Sequence, residues 1–321
     1  MARTYYFSVI FVFLIHFFLF SSPFSLSGAP RKKCTVCSRS IKYGTYYTGN
    51  GRIYCSEKCI NNAKPKCSLC KKSLDTYIQA GIPPANYCTT CFHTPRCFFC
   101  SRPAGRRGQL YKIAPQMLLC RNCGKNSVSN QSKALASFRI LRKQLMNVLK
   151  VGTDHKINFL LTAFEDLRKN CSGSLHTGQT GLYVCKTMIQ TTKKIDPRTG
   201  KTLSTTKKAV QKDHFIYILS SLPHAEFRQT VIHELTHDWL GEYYPHITDA
   251  QIQEGVCEYM AYLFLEDEKN NDPHIRSMLS RMEKNPDPVY GGGFRLIRKK
   301  AGSGSKFQRL AKLKKFLAQK Q

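Results

Sequence analysis

The residues with the clearest chemical potential are His233-Glu234-Leu235-Thr236-His237. Two histidines four apart share one face of a helix, where both imidazoles reach a single metal ion. Glu234 sits beside them to activate a water. Phe227, Val231, Ile232, Leu235 and Trp239 keep a helical apolar period around the motif, which predicts the helix it needs. Thr248 then opens a Thr-x-x-Gln capping box with Gln251, and Val256, Met260, Leu263 and Phe264 carry a second helix. Glu254 stands in its first two turns, seventeen residues after His237. The short loop Gly241 to Ile247 lets this helix fold back on the first. Glu254 is then the expected third ligand of a zinc ion with one open position. Glu258, one turn on, either competes for that role or orients a histidine.

A second kind of metal chemistry lies upstream. Twelve of the fifteen cysteines fall between Cys34 and Cys123. They form three units: Cys34, Cys37, Cys55, Cys59; Cys67, Cys70, Cys88, Cys91; and Cys97, Cys100, Cys120, Cys123. The first cysteines are 33 and 30 residues apart, so this is an internal repeat. A CxxC turn and a second pair from a hairpin complete a closed tetrahedral shell of four sulfurs, which is structural rather than catalytic. A unit of this size buries too little apolar surface to fold alone, and the metal supplies the missing stability. Three structural zinc ions are expected. Six disulfides are the alternative in an oxidising compartment.

The elements that must position the catalytic motif read as mixed α and β. His214-Phe-Ile-Tyr-Ile-Leu219 and Gly181-Leu-Tyr-Val-Cys185 look like strands, with Asp196-Pro-Arg-Thr-Gly200 a turn between extended segments. The strand just before the motif helix is expected to border the cleft and to pair with an extended peptide. Downstream, Asp287 to Arg295 reads as a glycine-rich loop whose Tyr290 or Arg295 would stabilise an oxyanion, or as a plain turn.

Composition sets the wider frame. Lys plus Arg number 50 against 20 Asp plus Glu, a formal +30, and mean hydropathy is −0.35. That excludes a multi-spanning membrane protein and wholesale disorder, and it points to acidic partners. Residues 30–125 carry eighteen Lys/Arg with only Glu57 and Asp75 as acids. No particular nucleic-acid-binding module is matched there. Tyr46, Tyr47, Phe98 and Phe99 are therefore expected to pack small cores rather than bases. Residues 295–321 hold ten Lys/Arg and no acid, with Phe307, Leu310, Leu313, Phe316 and Leu317 at helical spacing. This basic amphipathic tail either lies on an anionic surface or acidic partner, or packs on the preceding domain. Arg3, an apolar run from Phe7 to Phe20 and small residues up to Ser27 read as a signal peptide, with a signal anchor as the variant. Secretion or a lumenal location follows. Cys171 and Cys185 lie outside the array, as a disulfide or as two thiols.

The motifs together resemble the plant "DA-one" family, LIM-domain zinc metallopeptidases that limit organ growth and are activated by ubiquitin. The likeness rests on His-Glu-Leu-Thr-His-Asp-Trp-Leu at 233–240, Glu-Gly-Val-Cys at 254–257 and Pro-Val-Tyr-Gly-Gly-Gly-Phe-Arg at 288–295. It also rests on Pro65-Lys-Cys67-Ser-Leu-Cys70, and on Tyr87-Cys88 leading to Thr94-Pro-Arg-Cys97-Phe-Phe-Cys100. It covers about residues 34–300. The resemblance implies zinc on His233, His237 and Glu254, Glu234 as base, and peptide-bond hydrolysis. The stretch before the cysteine array is apolar where that family has an acidic ubiquitin-interacting helix, so ubiquitin dependence is not carried over. Cys55 and Cys59 replace a histidine and cysteine of a LIM domain, so the array is LIM-like. The expected organisation is a signal peptide (1–27), a LIM-like array of three zinc knuckles (30–125), an α+β zincin-type metallopeptidase domain (130–301) and the basic tail (302–321). The expected function is hydrolysis of protein substrates with one catalytic and three structural zinc ions. The alternative is a non-enzymatic knuckle protein that binds acidic partners or nucleic acid.

Overall fold

The computed structural model describes residues 32–41, 46–49, 51–105, 110–171 and 178–320. The expected signal peptide lies outside the described residues. The chain divides into two compact units, Met1–Leu110 and Tyr111–Gln321.

In the first unit the cysteine spacing produces one local design, repeated. Each CxxC turn closes on its own first cysteine: Ser38, Lys71 and Ser101 donate their amides to the carbonyls of Cys34, Cys67 and Cys97 at 2.9 Å. These three closing residues have positive φ, at 60, 64 and 54°, and the chain then reverses through the bridges Lys33–Ser40, Lys66–Ser73 and Arg96–Pro103. A hairpin follows in all three repeats, in the first two as β1 (Tyr47–Gly49) with β2 (Arg52–Tyr54) and β3 (Ile78–Ala80) with β4 (Ala85–Tyr87). Each of these two leads into a short helix, α1 (Glu57–Ala63) or α2 (Thr89–Phe92). The N-cap of α2 is Cys88, whose Sγ accepts from the Cys91 amide; the extra residue between Cys55 and Cys59 moves the cap of α1 to Ser56. Tyr54 and Ile60 pack around Cys34 and Cys59, with Tyr47 against them, and Leu74 and Tyr87 do the same for Cys67 and Cys91. These aromatics are core groups. Phe99 is buried too, whereas Phe98 is exposed.

Strand β5 (Leu110–Ala114) leads into the second unit, followed by β6 (Met117–Cys120), α3 (Arg121–Lys125) and β7 (Ser127–Val128). Helix α4 (Gln131–Leu149) follows, then β8 (Ile157–Thr162) and α5 (Phe164–Asn170). Two long strands, β9 (Gly181–Ile195) and β10 (Thr202–Leu219), precede the two-residue β11 (Leu222–Pro223), which pairs with β7. Helices α6 (His224–Tyr243), α7 (Ala250–Leu265), α8 (Pro273–Lys284), α9 (Tyr290–Ala301) and α10 (Lys306–Ala318) complete it. The sheet order is β8-β10-β9, with β10 parallel to β8 and antiparallel to β9. Phe138 of α4 stacks on Phe159 of β8 at 4.6 Å, and Ile216, Ile218, Val231, Val256, Met260 and Ile297 are fully buried.

Four expectations are corrected. Both predicted strands are longer than their apolar cores suggest, because β9 and β10 continue together as a ribbon beyond the packed sheet. The strand before the motif helix, β10, is central; β9 is the edge. The N-cap of α7 is Asp249, whose carboxylate accepts from the Ile252 amide at 3.0 Å, while Gln251 donates to the Pro288 carbonyl at 2.7 Å. Residues 290–295 are the first turns of α9 rather than a loop. Their glycines serve helix packing: a Cβ on Gly255 or Gly293 would collide with the backbone of the facing helix. The tail forms α10, and its Leu310, Leu313 and Leu317 are buried in the second unit. Lys306 pairs with Asp267 at 2.7 Å and Arg309 with Glu266.

Candidate metal centre and active site

The helical spacing of the motif does what the sequence predicts. His233 and His237 leave one face of α6, and Glu254 comes from the first half of α7. Glu254 Oε2 lies 3.0 Å from His233 Nε2 and 3.5 Å from His237 Nε2. Three donors at the corners of a tetrahedron with bonds of 2.0–2.2 Å would stand about 3.3–3.5 Å apart. Glu258 Oε1 lies 3.1 Å from the other nitrogen of His233, Nδ1, and accepts from Gln229 Nε2 at 3.3 Å. Glu234 is buried next to the pair. The Tyr290 ring faces His233 with centroids 6.4 Å apart and planes 27° apart. Arg295 is exposed on α9 and donates to the Asn285 carbonyl at 2.6 Å, which ties it to the loop before that helix.

Electrostatics favour a cation here. Burial pushes Glu234 above the usual carboxylate range, partly offset by the two histidines. Burial also acts to raise Glu254, but hydrogen bonds and charge from His233 and His237 outweigh it and hold the group well below that range. Burial opposes a charged His233; the carboxylates of Glu254 and Glu258 override this and raise it well above an ordinary imidazole. Three carboxylates thus surround two imidazoles in a closed space. A divalent ion is the natural counter-charge, and the donor set of two histidines and a glutamate suits zinc.

Cys257 was not singled out as a ligand from the sequence. With His233 and His237 it forms a group whose ligand atoms lie within 4.8 Å of one another. Burial, then the negative charges of Glu254, Glu234 and Glu258, push its thiol well up. Glu254 reaches both histidines with one oxygen, at 3.0 and 3.5 Å, and is the third donor that the geometry favours.

A second cluster was also not visible in the sequence. The Asp238 carboxylate, 1% exposed, accepts from Thr153 through Oδ2. Its Oδ1 lies 2.8 Å from His155 Nδ1, 3.1 Å from His214 Nδ1 and 3.1 Å from the Tyr183 hydroxyl. Tyr183 is also 2.8 Å from His214 Nδ1. The two imidazoles stack at 3.9 Å with planes 21° apart. Lone pairs of stacked rings run side by side instead of converging on a point, so this is a hydrogen-bond network around a buried carboxylate. It fastens β9, β10 and the segment before β8 to α6, one residue beyond His237. No spacing rule announces it, since its members are up to 85 residues apart.

Strand β9 is pressed against the catalytic motif. A Cβ on Gly181 would lie 2.5 Å from Glu234 Oε1 and from Thr230 Cγ2. The Tyr183 backbone also acts, as the smallest influence, to lower the Glu234 carboxyl. The edge strand therefore runs along Glu234.

No disulfide joins any two of the fifteen cysteines, Cys171 and Cys185 among them. Eight form two of the four-cysteine groups expected, Cys34, Cys37, Cys55, Cys59 and Cys67, Cys70, Cys88, Cys91, while Cys97 and Cys100 follow in the first unit and Cys120 and Cys123 in the second. Sulfur pairs stand 3.4 Å (Cys37–Cys55), 3.6 Å (Cys55–Cys59) and 3.9 Å (Cys70–Cys88) apart. A tetrahedral zinc with bonds near 2.3 Å needs about 3.8 Å, and a disulfide about 2.05 Å. The amide of Cys37 is the largest influence that lowers the Cys34 thiol to about 6.

Residues 165–281, which hold the motif helix and Glu254, match the family model described as DA1-like: Protein DA1. This segment is DA1-like. The match bears out the resemblance read from the motifs, and it stops short of Tyr290 and of the cysteine groups. The chain is similar to the LIM domain-containing protein HDR3 of Oryza sativa subsp. japonica, 26% identical over 64% of this chain and 45% of that protein. It is similar to Protein DA1-related 2 of Arabidopsis thaliana, 23% identical over 77% of this chain and 51% of the relative. Protein DA1 of the same plant is 23% identical over 82% of this chain and 58% of its own length. The chain spans about half the length of the curated relatives it matches. No solved structure matches it.

Proposed function

We propose that the protein is a zinc metallopeptidase acting on protein substrates. The observation that carries the reading is the convergence of Glu254 Oε2 on both motif histidines, with Glu234 buried alongside. His233, His237 and Glu254 would hold the ion, and Glu258 would orient His233 through Nδ1. Bound zinc supplies Lewis-acid polarisation of the scissile carbonyl and of the attacking water. Glu234 takes the proton from that water and returns it to the leaving amine. Its pKa, raised by burial, suits both halves of the task. Tyr290, whose ring faces His233, is the group best placed to donate to an oxyanion; Arg295 is tied to Asn285 and is the weaker candidate. An extended substrate would pair with the edge of β9, which brings its backbone to Glu234. The three four-cysteine groups are assigned as structural zinc sites.

The test is Glu234→Gln. Native mass spectrometry should count four zinc ions in the variant, as in the parent. Cleavage of an unfolded protein should fall by about 10²–10⁴-fold, the usual contribution of a general base. Undiminished, chelator-sensitive proteolysis by this variant ends the reading.

A further inference from the structure

The ribbon formed by β9 and β10 stands out from the rest of its unit. Apart from Asp196 in its turn, every residue from Cys185 to Lys212 is exposed. Nine paired positions run from Thr187–Lys212 and Met188–Gln211 to Ile195–Thr202, with irregularities at Leu203 and Val210. At about 3.3 Å per residue the ribbon reaches roughly 35 Å beyond Cys185. It has no core of its own. Met188, Ile189, Ile195, Leu203 and Val210 are 48–59% exposed.

Its charge is one-sided. Residues 186–213 contain eight Lys/Arg and two Asp. Cross-strand pairing puts Lys193, Lys207 and Lys212 on the same face as Ile189 and Ile195. Lysines along an exposed edge repel a second copy of the same strand, so self-pairing is disfavoured and an acidic strand is attracted. The segment has no Phe, Tyr or Trp. A nucleic acid would find no stacking platform, whereas exposed aliphatic side chains between lysines suit a polypeptide. Strand β9 is a sheet edge among the described residues, and the same strand touches Glu234 at Gly181 and Tyr183. The Asp238 network and the buried end of β10 hold its base to α6, so the ribbon is a fixed extension of the cleft wall.

We propose that the β9–β10 ribbon is a docking strip for an acidic, extended segment of the protein substrate, which adds to the free edge of β9 and leads from there to Glu234. The proposal rests on the peptidase reading for its purpose but not for its test. The first measurement is binding to full-length Glu234→Gln protein, read by fluorescence anisotropy with a labelled glutamate- and serine-rich peptide. The triple variant Lys193→Glu, Lys207→Glu, Lys212→Glu should weaken binding by about 10-fold or more, with a matching loss of salt dependence. A matched triple change on α10, at Lys312, Lys315 and Lys320, should alter it by less than about 3-fold. The glutamine version of the ribbon triple, which adds no repulsion, should fall between. Thermal unfolding checks that each variant is folded. Equal binding by the parent and the ribbon triple overturns the proposal. So does a larger loss in the α10 triple, or stronger binding of a single-stranded oligonucleotide that the ribbon triple abolishes. The second measurement uses the active protein. Cleavage of an acidic unfolded protein should show a raised KM and an unchanged kcat in the ribbon triple, while cleavage of a short neutral peptide stays the same. If nothing is cleaved by the parent, the peptidase reading falls and the binding result still decides the docking strip.

Discussion

At the scale of residues, the site is a problem of competing ligands and competing charges. Glu254 and Cys257 are neighbours on α7, and both are near the histidine pair. Glu254 Oε2 stands 3.0 and 3.5 Å from the two imidazoles, which hold its carboxyl low, while burial and three carboxylates push the Cys257 thiol up. Glu254→Gln should therefore lose the catalytic zinc, and Cys257→Ala should keep it. Metal content by native mass spectrometry distinguishes the two, and zinc loss from Cys257→Ala alone would reverse the assignment. The motif itself was legible because a helix places residues four apart on one face whatever the rest of the fold does. Cys257 was overlooked because a buried cysteine normally reads as a small apolar group. Asp238 was overlooked because its partners, Thr153, His155, Tyr183 and His214, are brought together only by sheet pairing and by the packing of that sheet on α6.

At the scale of elements, the close approach of α7 and α9 holds Glu254 and Tyr290 over the histidines. It depends on Gly255 facing Gly293 without a Cβ on either. Gly293→Ala should destabilise the second unit by about 1–3 kcal/mol through overpacking, seen as a lowered thermal midpoint. It should also lower activity by shifting Glu254 and Tyr290. An unchanged midpoint would show that the helices separate easily. The run Pro288 to Arg295 read as a loop because three successive glycines disfavour a helix locally. Tertiary contact overrides that preference, since only glycine lets the two backbones meet. Helix α10 is a similar case. Its heptad-like leucines were evident, but whether they were buried within the protein or left to a membrane depended on a surface for them to cover. Leu310, Leu313 and Leu317 are buried in the second unit.

At the scale of the whole molecule, one strongly basic chain carries two kinds of residue group that could hold a metal. The closed cysteine groups and the open histidine–glutamate centre should respond differently to reagents. A hydrophilic chelator should remove one zinc ion reversibly and stop cleavage. The other three should leave only after thiol modification, with loss of structure around the cysteine turns, because a four-sulfur shell offers no open position. Release of all four together under mild chelation would contradict this division. By itself, the sequence determined everything that depends on short spacing: the cysteine turns, the motif helix and the helix that carries Glu254. These rest on local backbone geometry, which a few consecutive residues dictate. Only the tertiary structure decided which strand is the edge, which polar groups gather around Asp238, and that β9 and β10 continue as an exposed basic ribbon past the packed sheet. Those outcomes depend on pairing and burial between residues far apart in the chain, and no local pattern encodes which partner wins.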